Sequence, residues 1–323
     1  MSARGPRGAS SGGGRLFPLL TGLVAVLVPC LVAGIAATLW WESLLSIREF
    51  GLHFWRTSVW DPVAGQFGAF PFIWGTLYSS FLALLLSTPI ALGIAIFLSD
   101  LSPHRLRQPL IFLTELLAAI PSIVYGLWGI FVLVPLVRSL ESATPAWLRG
   151  TPFFAGPPLG VGLLAASLVL AVMMIPYTAS VAREILKAVP STQREGAYAL
   201  GATRWEAIRM ALFYGRTGII GAVMLGLGRA LGETMAVTML IGNNPKASLS
   251  LFAPQYTMAA VIANEFTEAA DELYLSALVE IGLVLFIVTL VVNGLSRLLI
   301  WSMARPGKAR VRVSTVPARE SAA

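Results

Sequence analysis

The chain has 323 residues, 56% of them hydrophobic and only 12% charged, with 23 Lys and Arg against 16 Asp and Glu for a net charge of +7. That balance excludes a soluble globular domain and defines an integral membrane protein. The basic residues sit in short segments beside apolar runs, with no basic stripe or reading module, so they indicate orientation in a bilayer and not a nucleic-acid partner. The single cysteine, Cys30, excludes an intrachain disulfide.

Residues 1–15, MSARGPRGASSGGGR, are rich in Gly and Ser with positive charge and predict a disordered cytoplasmic tail. Crossing a bilayer core of roughly 30 Å takes about 20 apolar residues. Six stretches reach that length, at 16–40, 72–98, 110–137, 159–180, 217–242 and 274–300. The first is too long for an ordinary cleaved signal and reads as an uncleaved helix, with its external loop completing a segment 16–71. Trp40, Trp41, Trp55, Trp60 and Trp74 fit an outer interfacial belt. Arg105 and Arg107, then Arg183, Lys187, Arg194, Arg204, Arg209 and Arg216, then the basic tail 301–323 fall in alternate connections, which puts them and both termini in the cytoplasm. The other side is acidic, with Glu42, Glu49, Asp61, Glu141, Glu265, Glu268, Asp271 and Glu272. The predicted protein is therefore all-α, a polytopic membrane protein of six helices whose core covers residues 72–300. It has no sizeable soluble domain.

Within the third stretch, ELLAAIPSIVYGLWGIFVLVP places Pro121 in mid-membrane, where it removes a backbone hydrogen bond and frees a carbonyl. Ser122 and Tyr125 beside it are candidate path residues. Pro89 and Pro176 interrupt other spans in the same way. Glu115 and Glu280 fall near opposite ends of their spans, where snorkelling or a polar helix contact competes with a functional role.

The segment GLGRALGETMAV, 226–237, puts Arg229 and Glu233 near the bilayer midplane. Each charge costs roughly 2.5–3.5 kcal/mol at a helix centre, so such residues persist when paired or facing a polar path. A spacing of four predicts one helix face and an ion pair. Small residues flank that face, with Gly218, Ala222, Gly226 and Ala230 on one ridge and Gly228, Gly232 and Ala236 on the other, so neighbouring helices can approach closely. One reading is a structural pin between helices; the other is a lined pathway. In the second, the planar guanidinium of Arg229 attracts a tetrahedral oxyanion, while Glu233 tempers the field and accepts a hydrogen bond from a protonated one. That favours phosphate over sulfate.

REGAYALGATRWEAIRMALF, 194–213, is the longest cytoplasmic connection and predicts a helical segment broken at Gly201. Ala197, Leu200, Trp205, Ile208 and Leu212 gather on one side of it. It either lies on the membrane surface or docks into a groove on a partner.

Glu195, Ala197, Gly201 and Ile208 match the spacing of the EAA loop of ABC importer permeases, although Gly196 stands where that family usually has alanine and Phe213 where a proline often closes the motif. Together with ELLAAIPSIVYGLWGIFVLVP and GLGRALGETMAVTMLIGN, the loop is similar to the PstC family of membrane subunits of phosphate ABC importers, a resemblance running from about Phe72 to Ile300. It implies a type I importer permease of MetI-like architecture in the cell membrane. It also implies a second, PstA-like permease subunit, two cytoplasmic PstB-like ATPases and an extracytoplasmic PstS-like phosphate-binding protein. Glu195, Ala197, Gly201, Trp205 and Ile208 would then couple to the ATPases. ATP and Mg would be bound by those partners, with no cofactor, metal or catalytic site in this chain. In agreement, the chain has no Walker A pattern and no His or Cys cluster; His53 and His104 read as loop residues. The alternatives are a permease for sulfate, molybdate or another oxyanion, and an ion-coupled secondary transporter, which would have no use for an EAA-type loop.

Overall fold

The computed structural model describes residues 13–304, so the expected tail 1–15 lies largely, and the basic tail 301–323 mostly, outside the described residues. Among the described residues the chain is helical, and its extended pairing is limited to two isolated bridges, Asp61 with Gln66 and Gly242 with Gln255. In chain order the helices are α1 (Gly13–Glu42), α2 (Leu44–Phe50), α3 (Phe70–Ile96), α4 (His104–Ala118), α5 (Ser122–Trp128), α6 (Val134–Ala143), α7 (Ala146–Arg149), α8 (Leu163–Lys187), α9 (Ser191–Ala199), α10 (Arg204–Tyr214), α11 (Arg216–Leu231), α12 (Met235–Leu240), α13 (Met258–Glu265) and α14 (Glu272–Ala304). α3 closes in a π-helical turn, Phe97–Leu101, and a second one, Gly129–Leu133, joins α5 to α6.

Among the described residues, five helical segments are long and apolar enough to cross a membrane: Phe17–Glu42, Phe70–Leu101, Ser122–Ala143, Leu163–Lys187 and Glu272–Met303. The fifth expected span, 217–242, is divided between α11 and α12, and α10 enters α11 through a 69° bend. The expected third span is likewise divided: Pro121 disfavours the helical conformation at Ile120 before it and caps the start of α5. Pro89 and Pro176 do not act this way. α3 and α8 run through them unbroken, since a membrane helix packed on neighbours tolerates the lost bond.

The described chain divides into two compact units. One takes in the chain up to Ala83, Ile120–Ala171 and Ala230–Leu290; the other takes in Leu84–Ala119, Val172–Arg229 and the chain from Val291. In the first, Phe54, Phe67, Phe72, Tyr256, Met258, Tyr274, Leu278 and Ile281 form a core that fastens the loop after α2 to α3, α13 and α14. The loop before α13 crosses α3 so closely that a Cβ on Gly75 would lie 2.2 Å from the Tyr256 carbonyl oxygen. Glu280 is buried at 2% exposure and accepts from the Ser46 hydroxyl at 2.5 Å, while Ser276 takes the Ser46 N–H at 3.2 Å and donates to the Glu42 carbonyl. Glu280 is therefore a polar helix contact that holds α2 on α14.

The core of the second unit is Ala95, Ala182, Leu186, Ile219 and Ala222, where small side chains let α8 and α11 meet closely. A Cβ on Gly226 would stand 2.6 Å from Thr178 Oγ1, and one on Gly218 2.9 Å from Ile185 Cγ2. The ridge Gly218, Ala222 and Gly226 thus packs on α8 as its spacing implies. In the same unit Glu115 pairs with Arg183 at 3.6 Å, again a polar contact between helices.

Candidate functional site

In the first unit two half-helices, α5 and α12, each begin immediately after a break. α5 follows Pro121, and α12 follows the segment Gly232–Thr234 that contains Glu233. Gly126 faces Ala236 and Met239, and Gly129 faces Leu240. The register advances in the same direction along both helices, so they lie side by side and start from the same end. That end carries Ser122 and Glu233, both half-buried. Tyr125, one turn further along α5, is buried at 8% exposure. Broken backbone at membrane depth is tolerated where protein covers it or where it lines a wet cavity, which makes these two breaks the place to expect a polar path.

The far end of α12 is tied down by backbone hydrogen bonds. Gly242 adopts φ +88° and Asn243 φ +51° to turn the chain, Gln255 donates its backbone N–H to the Ile241 carbonyl at 2.9 Å, and Gly162 donates to that of Leu240 at 2.9 Å. Trp74 and Tyr78 of α3 donate to the carbonyls of Ser248 and Leu249, holding the following loop.

In the second unit α11 buries its small-residue ridge on α8 and leaves Leu225, 55% exposed, and Arg229 on its outward side. The expectation that Arg229 and Glu233 share one helix face does not hold. α11 ends at Leu231, two residues before Glu233, and among the described residues no ion pair joins them. Gly226, Gly228 and Gly232 weaken the helix as it reaches this point, and the ladder stops where Gly232 would have to carry it on. Arg229 is thus the last polar residue of one helix, and Glu233 belongs to the break.

The coupling segment is two helices, not one. α9 carries Glu195 and Ala197. It ends in a turn where Gly201 adopts φ +81°. Ala202 N–H returns to the Ala197 carbonyl at 3.0 Å and Gly201 N–H to that of Tyr198 at 2.9 Å, the paired bonds of a Schellman cap. α10 then starts on a capping box, with Thr203 and Glu206 bonding each other's backbone N–H. The Thr203 backbone N–H, and then its hydroxyl, hold the Glu206 carboxyl below the usual carboxylate range. This turn rotates α10 out of register with α9, so the single apolar face expected across the loop is split. Ile208 is 3% exposed and packs inward, whereas Leu200 at 90% and Trp205 at 62% point away from the chain. Glu195 is exposed and Ala197 half-buried.

One polar residue of this unit escaped the reading of the sequence. Asp100, on the π-helical turn closing α3, pairs with Arg194 of the coupling segment, and its carbonyl accepts from Arg204 at 2.6 Å. The available signal was that Asp100 is the only carboxylate in the first inner connection, 99–109.

These features define a polytopic membrane protein with divided spans and a capped loop between two of them. Residues 89–304 match the family described as "Binding-protein-dependent transport system inner membrane component". The chain is 49% identical over 294 residues to the "Phosphate transport system permease protein PstC" of Haemophilus influenzae, covering 89% of this chain and 93% of the relative. It is 44% identical over 299 residues to the protein of the same description from Mesorhizobium japonicum, covering 90% and 91%. The chain belongs to this family of inner membrane components, in its PstC branch. Among solved structures, a bacterial alginate ABC transporter shares the fold with a TM-score of 0.61 at 15% identity, covering 91% of this chain and 97% of that one. The MetNI methionine ABC transporter does so at 0.56 and 17%, covering 76% and 100%.

Proposed function

We propose that this chain is the membrane-spanning permease subunit of an ATP-driven phosphate importer. It forms half of a translocation path whose other half is a PstA-like subunit. The observation that carries this reading is the 49% identity to a phosphate transport permease over nearly the whole of both chains. Phosphate is delivered by a PstS-like extracytoplasmic binding protein. Two PstB-like ATPases bind ATP and Mg, so this chain works without a cofactor or catalytic site of its own. Both termini lie in the cytoplasm, in keeping with the basic inner connections.

Tyr198, Leu200 and Trp205 are large, exposed and grouped on the inner loop, as a segment docking into an apolar groove of an ATPase requires. α11 runs directly from that loop to Arg229. At a rise of about 1.5 Å per residue it spans about 20 Å between Arg216 and Arg229, so movement of the coupling helices reaches the Arg229 level along one continuous helix. Arg229 attracts the oxyanion, and Glu233, in the break that follows, accepts from a protonated phosphate and disfavours one with no proton to donate. Ser122 and Tyr125, on α5 in the first unit, are the other candidate path residues, and Pro121 keeps that break open.

The test is ATP-dependent phosphate uptake by the whole complex in proteoliposomes. Arg229→Gln is expected to abolish uptake while assembly and ATP hydrolysis persist. Loss of assembly in that variant supports the structural pin instead, and equal translocation of sulfate through the membrane subunits refutes the phosphate preference.

A further inference from the structure

Three arginines from three segments converge on the last turn of α3. Arg107 of α4 donates through Nε to the Leu98 carbonyl at 2.7 Å, Arg204 of α10 donates through Nη2 to the Asp100 carbonyl at 2.6 Å, and Arg194 of α9 pairs through Nη1 with the Asp100 carboxylate. The same Arg194 donates through Nη2 to the Leu186 carbonyl at the end of α8, at 2.8 Å. Ser99 Oγ donates to the other Asp100 carboxylate oxygen. The π-helical turn Phe97–Leu101 explains why this point receives them. It replaces the regular ladder at a helix end, where carbonyls lack partners within the helix, and cationic donors fill the gap.

An ordinary patch of inner-loop arginines would be solvated and independent. Here the Asp100 side chain is only 10% exposed and that of Arg194 25%, so the pair is shielded and stronger than one in open water. Asp100 also takes one limb of the coupling segment through its carboxylate and the other through its carbonyl. Such a residue fixes the angle between α9 and α10 as well as their attachment to α3.

We propose that Asp100 is a positioning residue for energy coupling: it holds both limbs of the coupling segment on the inner end of α3, so that ATPase movement drives α3 together with α11. This rests on the importer reading, and wild-type uptake tests that reading separately. If the wild-type complex carries another oxyanion, the Asp100 comparison is made with that ion.

The experiment uses the complete complex of permease pair, ATPases and binding protein in proteoliposomes, and measures both uptake and the stimulation of ATP hydrolysis by loaded binding protein. Asp100→Asn, which keeps the shape and loses the charge, is expected to lower uptake by about tenfold or more, a shielded pair having been broken. Assembly and basal hydrolysis should be retained and stimulation lost. Asp100→Glu should keep part of the stimulation. The exchange Asp100→Arg with Arg194→Asp should recover uptake above either single variant. Wild-type uptake and stimulation in Asp100→Asn overturn the proposal, as does an exchange no better than its single variants. If Asp100→Asn fails to assemble while Asp100→Glu assembles without stimulation, the residue is structural and the proposal fails.

Discussion

The Trp60 indole N–H donates to Glu265 Oε2 at 2.8 Å, joining the loop after the first span to the end of α13 across 205 residues of sequence. The Tyr274 hydroxyl donates to the same oxygen at 2.7 Å, and the Trp60 ring meets Phe67 and Phe72 edge-on with centroids 4.9 Å apart in each case. One end of the first unit is thus closed by an aromatic cluster around one shared carboxylate. Burial of the neighbouring Tyr256 raises its hydroxyl pKa, so that group stays protonated and accepts from the Asn264 amide at 2.9 Å.

Removing Trp60 should open this closure. Trp60→Ala is expected to cost about 3 kcal/mol, the range of large aromatic truncations. Trp60→Phe keeps part of the ring packing and loses the bond to Glu265, together about 1.5 kcal/mol. Thermal melting of the purified protein in detergent should rank wild type above Trp60→Phe above Trp60→Ala; equal losses in the two variants would show that the hydrogen bond, not the ring packing, carries the cluster.

The positions of the spans, the break at Pro121 and the turn at Gly201 were legible because each depends on local chemistry: apolar length, a missing N–H, a backbone angle only glycine takes freely. The division of the fifth expected span was not. GLGRALGETMAV has the spacing of a helix face throughout, and the ladder stops near Gly232 because of the glycine content of the whole stretch, which no single residue announces. Asp100 was hidden for a different reason. Its partners Arg194 and Arg204 are about a hundred residues away, so only tertiary structure brings the three together. The split face of α10 has the same origin, since a helical wheel drawn across 194–213 assumes one axis and the Gly201 turn provides two.

Two glycines of α11 should respond with opposite signs. A Cβ on Gly226 meets Thr178 Oγ1 at 2.6 Å and Met174 Cε at 3.2 Å, so Gly226→Ala forces α11 off α8 and should cost about 1–3 kcal/mol. A Cβ on Gly221 finds its nearest neighbour, Ile300 Cδ1, at 3.8 Å. Gly221→Ala should therefore gain up to about 1 kcal/mol of helix stability. Melting temperatures in detergent compare the two directly, and a stabilised Gly226→Ala would contradict the close α8–α11 contact.

Acid should loosen the start of α10. The folded-state pKa of Glu206 lies below its unfolded value, so the capping interaction is fully present above about pH 4.3, the unfolded value, and is lost as pH falls through the lower folded value. Hydrogen exchange of the first-turn amides of α10 should show protection at pH 7 that declines toward pH 3 in excess of the intrinsic rate change. Glu206→Ala should be poorly protected at both values. Protection in that variant equal to wild type at pH 7 would mean that the Thr203 hydroxyl, which accepts from the Glu206 N–H at 3.4 Å, suffices alone.

Gly201 allows conformation to be separated from space. Its φ of +81° lies in the left-handed region, yet a Cβ there meets nothing within 4 Å. Any substitution is therefore resisted by backbone preference and not by a clash. Gly201→Ala should cost about 1–2 kcal/mol in the turn, and Gly201→Asn less, because asparagine tolerates that region better than other side chains. The larger Gly201→Val, β-branched and unsuited to positive φ, should be the worst of the three although it has the same open space around it. If α9 and α10 must keep their angle to engage an ATPase, uptake by the reconstituted complex should fall in the order wild type, Asn, Ala, Val, with assembly retained at least through Ala. A ranking by side-chain size, with Asn below Ala, would show that the surroundings of Gly201 are filled by a partner subunit and that steric fit, not backbone angle, governs the turn.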